Sequence, residues 1–62
     1  MAQFSDPDIE RISNRIRELG MIQKAVAQKA GINPVYLSYI LNGKRPLTSN
    51  VREVLFFVLD IR

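Results

Sequence analysis

The sequence contains no cysteine and no histidine, and these two absences narrow the chemistry that the chain can perform. Without cysteine, neither a disulfide framework nor a thiolate metal site can form. Without histidine, the commonest general base and metal ligand is missing. The six acidic residues are scattered, so no nucleophile–base pair or metal cluster can be proposed. An enzyme is therefore the least favoured class, and we expect neither a cofactor nor a bound metal.

Long apolar runs are also missing. The longest, residues 54–59, is far shorter than the roughly 20 residues that a membrane-spanning helix needs. The first residues carry neither a basic cluster nor an apolar stretch, so no signal peptide is recognisable. We therefore expect a soluble intracellular protein that makes no contact with a membrane.

Acidic residues are absent from the middle of the chain. Residues 21–50 contain four basic residues and no acidic one, whereas residues 1–20 carry a net charge of −1 and residues 51–62 a net charge of zero. The excess of positive charge therefore lies in one segment, for which a polyanion is the natural partner. A basic surface that only contacts solvent is the alternative interpretation.

The 62 residues are enough for one domain, predicted over residues 1–62. Apolar residues recur every three or four positions, which is typical of amphipathic helices. Asp6 and Asn33 are suitable N-caps because their side-chain oxygens can accept from the first amides of a helix. The proline that follows each of them suits the first helical position, and Gly31 suits a helix end. The predicted helices are helix 1 from Pro7 to Leu19, helix 2 from Gln23 to Lys29 or Ala30, helix 3 from Pro34 to about Leu41, and helix 4 from a cap at Thr48 or Ser49 to about Leu59. No strand is predicted, so the expected fold class is all-α.

The same spacing predicts which side chains face the core. Ile32 should fill the core from the turn that precedes helix 3. The residues predicted to point inward from the four helices are Ile9, Ile12, Ile16, Leu19, Val26, Ala27, Ala30, Leu37, Ile40, Leu41, Val51, Val54, Leu55 and Val58.

The segment from Gln23 to Gly43 resembles the helix-turn-helix of phage repressors and Cro-like proteins, the XRE-type family. The matching positions are Gln23 at the start of helix 2, the small Ala27, Gly31 and Ile32 at the turn, the inward Leu37 and Ile40, and the ending Asn42, Gly43 and Lys44. The resemblance implies a compact four- to five-helix bundle of the lambda-repressor-like DNA-binding type, with helices 2 and 3 as the helix-turn-helix. It extends over about residues 9–61.

Two features depart from the family pattern. Ile22 stands where the family often has a serine or threonine that caps helix 2. An isoleucine side chain cannot accept a hydrogen bond from the first amides of a helix, which leaves the start of helix 2 less well defined. No fifth helix is predicted after helix 4, although many members have one. The dimer contact that is usual in the family is therefore not carried over.

By this resemblance, helix 3 would enter the major groove of DNA with its first residues facing the bases. The residues that would face the bases are Pro34, Val35, Ser38 and Tyr39. The residues that would contact the DNA backbone are Gln23, Asn33, Tyr36, Asn42, Lys44 and Arg45. No base-facing residue is Arg, Lys, Asn or Gln, which make the most discriminating base contacts, so we expect modest specificity assisted by DNA shape.

Eight of these ten residues also have a purely structural interpretation. The alternatives are that Pro34 only starts the helix, Val35 packs under helix 2, Tyr36 and Tyr39 cover apolar surface, Asn33 and Asn42 only cap or end helix 3, and Lys44 and Arg45 are solvated loop charges.

Helix 4 has more large apolar residues than one face can bury. The residues predicted to form a homodimer interface are Phe56, Phe57, Leu59 and Ile61, with Phe56 as the main anchor. Exposed clusters of this kind usually mark an interface. The alternative is that helix 4 is the central helix of the bundle and buries these residues within one chain.

The resemblance implies a sequence-specific regulator of transcription, of Cro or repressor type, from a bacterium or phage. It would bind double-stranded DNA at a palindromic operator in the bacterial cytoplasm, at the nucleoid. The alternative is a protein-interaction module on the same fold, such as an antirepressor or an antitoxin, that uses helix 4 to contact another protein.

Overall fold

A computed structural model of the chain describes residues 3–61, and its regular structure consists of four helices without a strand. The helices are α1 Pro7–Glu18, α2 Gln23–Ala30, α3 Pro34–Leu41 and α4 Ser49–Leu59. The predicted all-α class is confirmed, and every predicted helix end is correct to within one residue. No helix in residues 3–61 combines the length and the apolar character that crossing a bilayer requires.

Local sequence signals explain where α1 and α3 begin. Asp6 Oδ1 accepts a hydrogen bond from the amide of Asp8 at 2.9 Å, and Asn33 Oδ1 accepts one from the amide of Val35 at 2.7 Å. Each side chain thereby satisfies an amide that has no partner within its helix. By contrast, Ile22 makes no capping hydrogen bond at the start of α2, as its side chain predicts.

The turn between α2 and α3 depends on a backbone conformation that favours glycine. Gly31 has φ +71° and ψ +29°, in the left-handed region that other residues adopt at a cost. The amide of Ile32 then donates to the carbonyl of Ala27 at 2.9 Å, which closes the end of α2. Ile32 packs against the core as predicted, and only three residues separate the end of α2 from the start of α3.

The helices enclose one apolar core. α2 packs against both α3 and α4, and α1 packs against the same two helices. The buried residues are Ile12, Ile16, Val26, Ala27, Leu37, Ile40, Leu47, Leu55 and Leu59. Seven of the predicted inward residues are in this set, and it includes Leu47, a loop residue that helical periodicity does not predict.

Three predictions about individual side chains are wrong. Leu19 lies beyond the end of α1 and is 43% exposed, and Val54 on α4 is 39% exposed, although both were expected to face the core. Leu59, predicted to lie at a dimer interface, is completely buried within one chain. The buried face of α4 is centred on Leu55 and Leu59, which lie one turn apart, and the helix packs against α1 and α2.

Polar contacts hold α1 beside α4 at both ends. Near the start of α4, Arg52 Nη2 lies 2.7 Å from Asp6 Oδ2, and Arg52 Nε lies 3.0 Å from Asp8 Oδ2. Near the end of α4, Arg15 Nε donates to the carbonyl of Leu59 at 2.8 Å. The two helices therefore run in the same direction, and the guanidinium of Arg15 is at the end of α4 that attracts positive charge.

Asp6 has two separable roles, and substitutions can distinguish them. We expect Asp6→Ala to lower the free energy of unfolding by about 1–2 kcal/mol, because it removes the cap of α1 and the ion pair with Arg52. Asp6→Asn retains a capping oxygen and removes only the charge, so it should cost less than about 1 kcal/mol. Urea unfolding of both variants measures the difference. Equal losses would show that the cap does not contribute.

Because Leu59 is buried and Phe57 is exposed, truncating the two side chains should change the free energy of unfolding by very different amounts. Leu59→Ala should lower the free energy of unfolding by about 2–5 kcal/mol, because it leaves a cavity in the core. Phe57→Ala should change it by less than about 0.5 kcal/mol in dilute protein, where association with a partner does not contribute. Thermal unfolding followed by circular dichroism compares the two. A larger effect at Phe57 would contradict the assignment of Leu59 to the core.

Candidate nucleic-acid interface

Helix α3 is fixed from its inner side and presents its outer side to solvent. Leu37 and Ile40 are completely buried and hold the helix against the core. Val35 and Tyr39 lie on the opposite side and are 57% and 42% exposed, respectively. The alternative in which Val35 packs under helix 2 is therefore wrong. Two of the predicted base-facing residues thus lie together on the outer face of an anchored helix.

The other two predicted base-facing residues differ in exposure. Pro34, the first residue of α3, is exposed, and its fixed backbone angle also suits this position of the helix. Ser38 is half-buried, one turn after Pro34. Both therefore retain surface that faces solvent at the beginning and the middle of α3.

Five of the predicted DNA-contacting residues line one open concave surface. It has a volume of about 460 Å³ and is lined by Asn33, Val35, Tyr36, Tyr39 and Arg45. These residues come from the cap of α3, from its outer side and from the loop that follows it. The fold therefore brings together residues that lie up to twelve positions apart in the sequence. We call this surface the α3 concavity.

The basic loop after α3 is held against the end of the helix. The carbonyl of Tyr39 accepts hydrogen bonds from the amides of Lys44 at 2.8 Å and Arg45 at 3.3 Å. The Lys44 ammonium lies 5.9 Å from the centre of the Tyr39 ring, within the range of a cation–π contact. The carbonyl of Gly43 accepts from the amide of Phe4 at 2.8 Å, which also holds the loop. The loop therefore keeps two positive charges beside the outer face of α3.

The two asparagines at the ends of α3 have structural roles. Asn33 caps the helix, as described above. Asn42 Nδ2 donates to the carbonyl of Ser38 at 2.8 Å and lies 3.3 Å from Ser38 Oγ. Asn42 thus completes the last turn of the helix and contacts the hydroxyl of a predicted base-facing residue. Both asparagines remain exposed, so these roles leave part of each side chain facing solvent.

A second groove contains a basic residue, Arg17, that the sequence analysis did not select. Gln23, at the start of α2, and Asn42, at the end of α3, line a groove of about 400 Å³ together with Ser13 and Arg17 of α1. The exposed Arg17 therefore lies beside two predicted backbone-contacting residues. Sequence reasoning missed Arg17 because only the packing of α1 against α3 places it there.

The predicted partner surface on α4 is reduced by the packing of the bundle. Phe57 is 88% exposed, the highest value for any large apolar residue in the described part of the chain. Phe56 and Ile61 pack partly against the core, and the guanidinium of Arg11 lies 5.2 Å from the centre of the Phe56 ring. With Leu59 buried and Phe56 half-buried, Phe57 is the most accessible of the four residues predicted for the interface. Phe57 therefore replaces Phe56 as the candidate for the main anchor.

The described residues offer no obvious position for a metal ion. Within residues 3–61, no three acidic side chains converge closely enough to coordinate one. Three of the acidic residues contact arginines instead: Asp6 and Asp8 contact Arg52, and Glu18 contacts Arg15 at 3.3 Å.

Comparison with known protein families identifies a helix-turn-helix in the same part of the chain. A profile of the helix-turn-helix family, of the XRE type that includes Cro and lambda repressor, matches residues 7–54. The match extends from the start of α1 through α2 and α3 into the first half of α4. Neither the curated proteins nor the solved structures include one with significant similarity to the chain. The family match covers well over half of the sequence, and the chain therefore belongs to the XRE-type helix-turn-helix family of DNA-binding regulators.

Proposed function

We propose that this protein is a sequence-specific regulator of transcription, of Cro or repressor type, that inserts α3 into the major groove of double-stranded DNA. The observation that carries the proposal is the exposure of Val35 and Tyr39 on an anchored helix, beside the loop of Lys44 and Arg45. A rigid helix with a solvent-facing side and adjacent positive charge has the properties that major-groove recognition requires. Membership of the family supports the same function.

In this arrangement, separate residues position the protein and read the sequence. Lys44 and Arg45 contact phosphates at one end of α3, and Gln23 contacts them from the start of α2. Contacts to phosphates fix the orientation on the duplex and supply most of the salt-dependent affinity. The amides at the start of α2 have no side-chain cap from Ile22, so they are available to a phosphate oxygen.

Arg17 adds a phosphate contact from a third helix. It shares a groove with Gln23 and Asn42, so one DNA strand that passes along this groove would contact α1, α2 and α3. A guanidinium group suits this role because it binds phosphate with two parallel hydrogen bonds.

We further propose that the protein acts as a homodimer on a palindromic operator. The exposed ring of Phe57 is the anchor of the interface, and Phe56 and Ile61 contribute their exposed edges. A two-fold axis near α4 would place two α3 helices on one side of the duplex. They would then read half-sites about one helical turn, or about 34–36 Å, apart. Such a protein would act at the nucleoid of a bacterial or phage-infected cell by covering a promoter.

The exposure of Phe57 also favours a second candidate function. The same ring would anchor a different protein if the chain were an antirepressor or an antitoxin. The two functions make different demands on the outer face of α3. An interaction module that uses α4 alone does not require Val35, Tyr39 or the basic loop.

Removing charge from the basic loop should weaken DNA binding in a particular way. Lys44→Gln and Arg45→Gln should each lower the affinity for all duplexes similarly and reduce the slope of log affinity against log salt by about one. Lys29→Gln is the matched control, because it removes the same charge from an exposed residue of α2 that lines neither the α3 concavity nor the groove of Arg17. Fluorescence anisotropy at several salt concentrations measures all three variants. If the loop variants bind DNA as the unsubstituted protein does, the protein-interaction function is favoured.

Replacing the exposed aromatic ring of α4 should dissociate the proposed homodimer. Phe57→Ser should raise the dimer dissociation constant at least about 30-fold, as the loss of a buried aromatic anchor does at other interfaces. Leu19→Ser is the matched control, since it truncates an exposed leucine outside α4. Sedimentation equilibrium measures the association of each variant. A monomeric unsubstituted protein, or a dimer that survives Phe57→Ser, would contradict the proposed interface.

A further inference from the structure

We infer that the α3 concavity binds the C5 methyl group of a pyrimidine in the major groove, supplied by thymine or by 5-methylcytosine. The inference rests on the proposed function and goes beyond it, because it identifies the chemical group that determines which sequences are bound. The main evidence is that apolar and aromatic side chains are exposed on the face of α3 where polar side chains would make the most discriminating base contacts.

The surface of the concavity is mainly apolar. Its lining includes the isopropyl group of Val35 and the rings of Tyr36 and Tyr39, with Asn33 and Arg45 as its polar members. Val35 and Tyr39 are exposed, so part of their carbon surface is in contact with water when the protein is alone. Contact with another apolar group would remove this surface from water and would therefore be favourable.

Each asparagine at an end of α3 uses one side-chain atom within the helix. Asn33 Oδ1 accepts from the amide of Val35, and Asn42 Nδ2 donates to the carbonyl of Ser38. Neither asparagine therefore presents the free donor and acceptor pair that asparagine or glutamine uses to read adenine. Among the groups that bases present in the major groove, the C5 methyl is the apolar one.

The charge around the concavity favours DNA over an apolar peptide as its occupant. Arg45 is part of its lining, and the Lys44 ammonium lies 5.9 Å from the centre of the Tyr39 ring. A mainly apolar surface with cationic groups beside it is complementary to a methyl group carried on a polyanion. The volume of about 460 Å³ is larger than a methyl group needs and leaves room for the edge of the base.

The first test removes the methyl group from the DNA. An operator is first selected from random duplexes, and its thymines are then replaced one at a time by deoxyuridine, which differs only at C5. We expect at least one position in each half-site where the replacement lowers the affinity about fourfold, the effect of burying one methyl group. At the same position, a C·G pair should bind more weakly, and 5-methylcytosine should recover about fourfold. Recovery identifies the methyl group, and not the thymine oxygen, as the group that is bound.

The second test removes the methyl-binding side chain. Val35→Ala should abolish the difference between thymine and deoxyuridine at that position, because partners in direct contact show non-additive effects. The substitution should leave the fold intact, since Val35 is exposed and alanine is the better helix former. Leu19→Ala, outside the concavity, should retain the fourfold difference.

The outcomes separate the inference from the proposed function. If the protein selects an operator but binds every deoxyuridine-substituted duplex equally well, the inference is overturned and the proposed function stands. The inference is also overturned if Val35→Ala retains the full thymine preference. If no sequence is selected and binding does not depend on salt, both the inference and the proposed function are wrong.

Discussion

The burial of Leu37 and Ile40 is the interaction on which the rest of the candidate site depends. Helix α3 has only eight residues, and an isolated helix of this length is not stable in water. Its conformation therefore comes from packing against the core and from the cap at Asn33. The concavity and the position of the basic loop follow from this packing, because Val35 and Tyr39 lie on the side of the helix opposite the two buried residues.

Helix α4 buries apolar residues in the core on one side and exposes an apolar ring on the other. Leu55 and Leu59 fill the centre of the bundle, whereas Phe57 lies on the other side of the helix, about 160° from Leu55. Arg15 and Arg52 hold α4 against α1 near its two ends, which limits how far the helix can turn to bury Phe57. An apolar ring held in solvent in this way is available for association, whether with a second copy or with another protein.

The proposed DNA interface would separate affinity from discrimination. Its cationic groups lie on the loop after α3 and in the groove that contains Arg17, whereas the outer face of α3 exposes Val35 and Tyr39. Contacts with phosphates do not depend on sequence, so the residues proposed to supply most of the affinity would contribute little discrimination. Discrimination would then depend on a few weak contacts, of which the proposed apolar contact with a methyl group is one.

The sequence by itself determined the helices and their ends, because these depend on neighbouring residues. Asp6 and Asn33 cap helices through the amide two positions later, and Gly31 adopts the turn conformation that its lack of a side chain allows. Only the tertiary structure decided which side of α4 is buried, since its apolar residues occupy most of the circumference and periodicity therefore permits several orientations. The packing of α1 and α2 selected Leu59 for the core and left Phe57 in solvent, and the packing of α1 against α3 placed Arg17 beside the predicted DNA-binding residues.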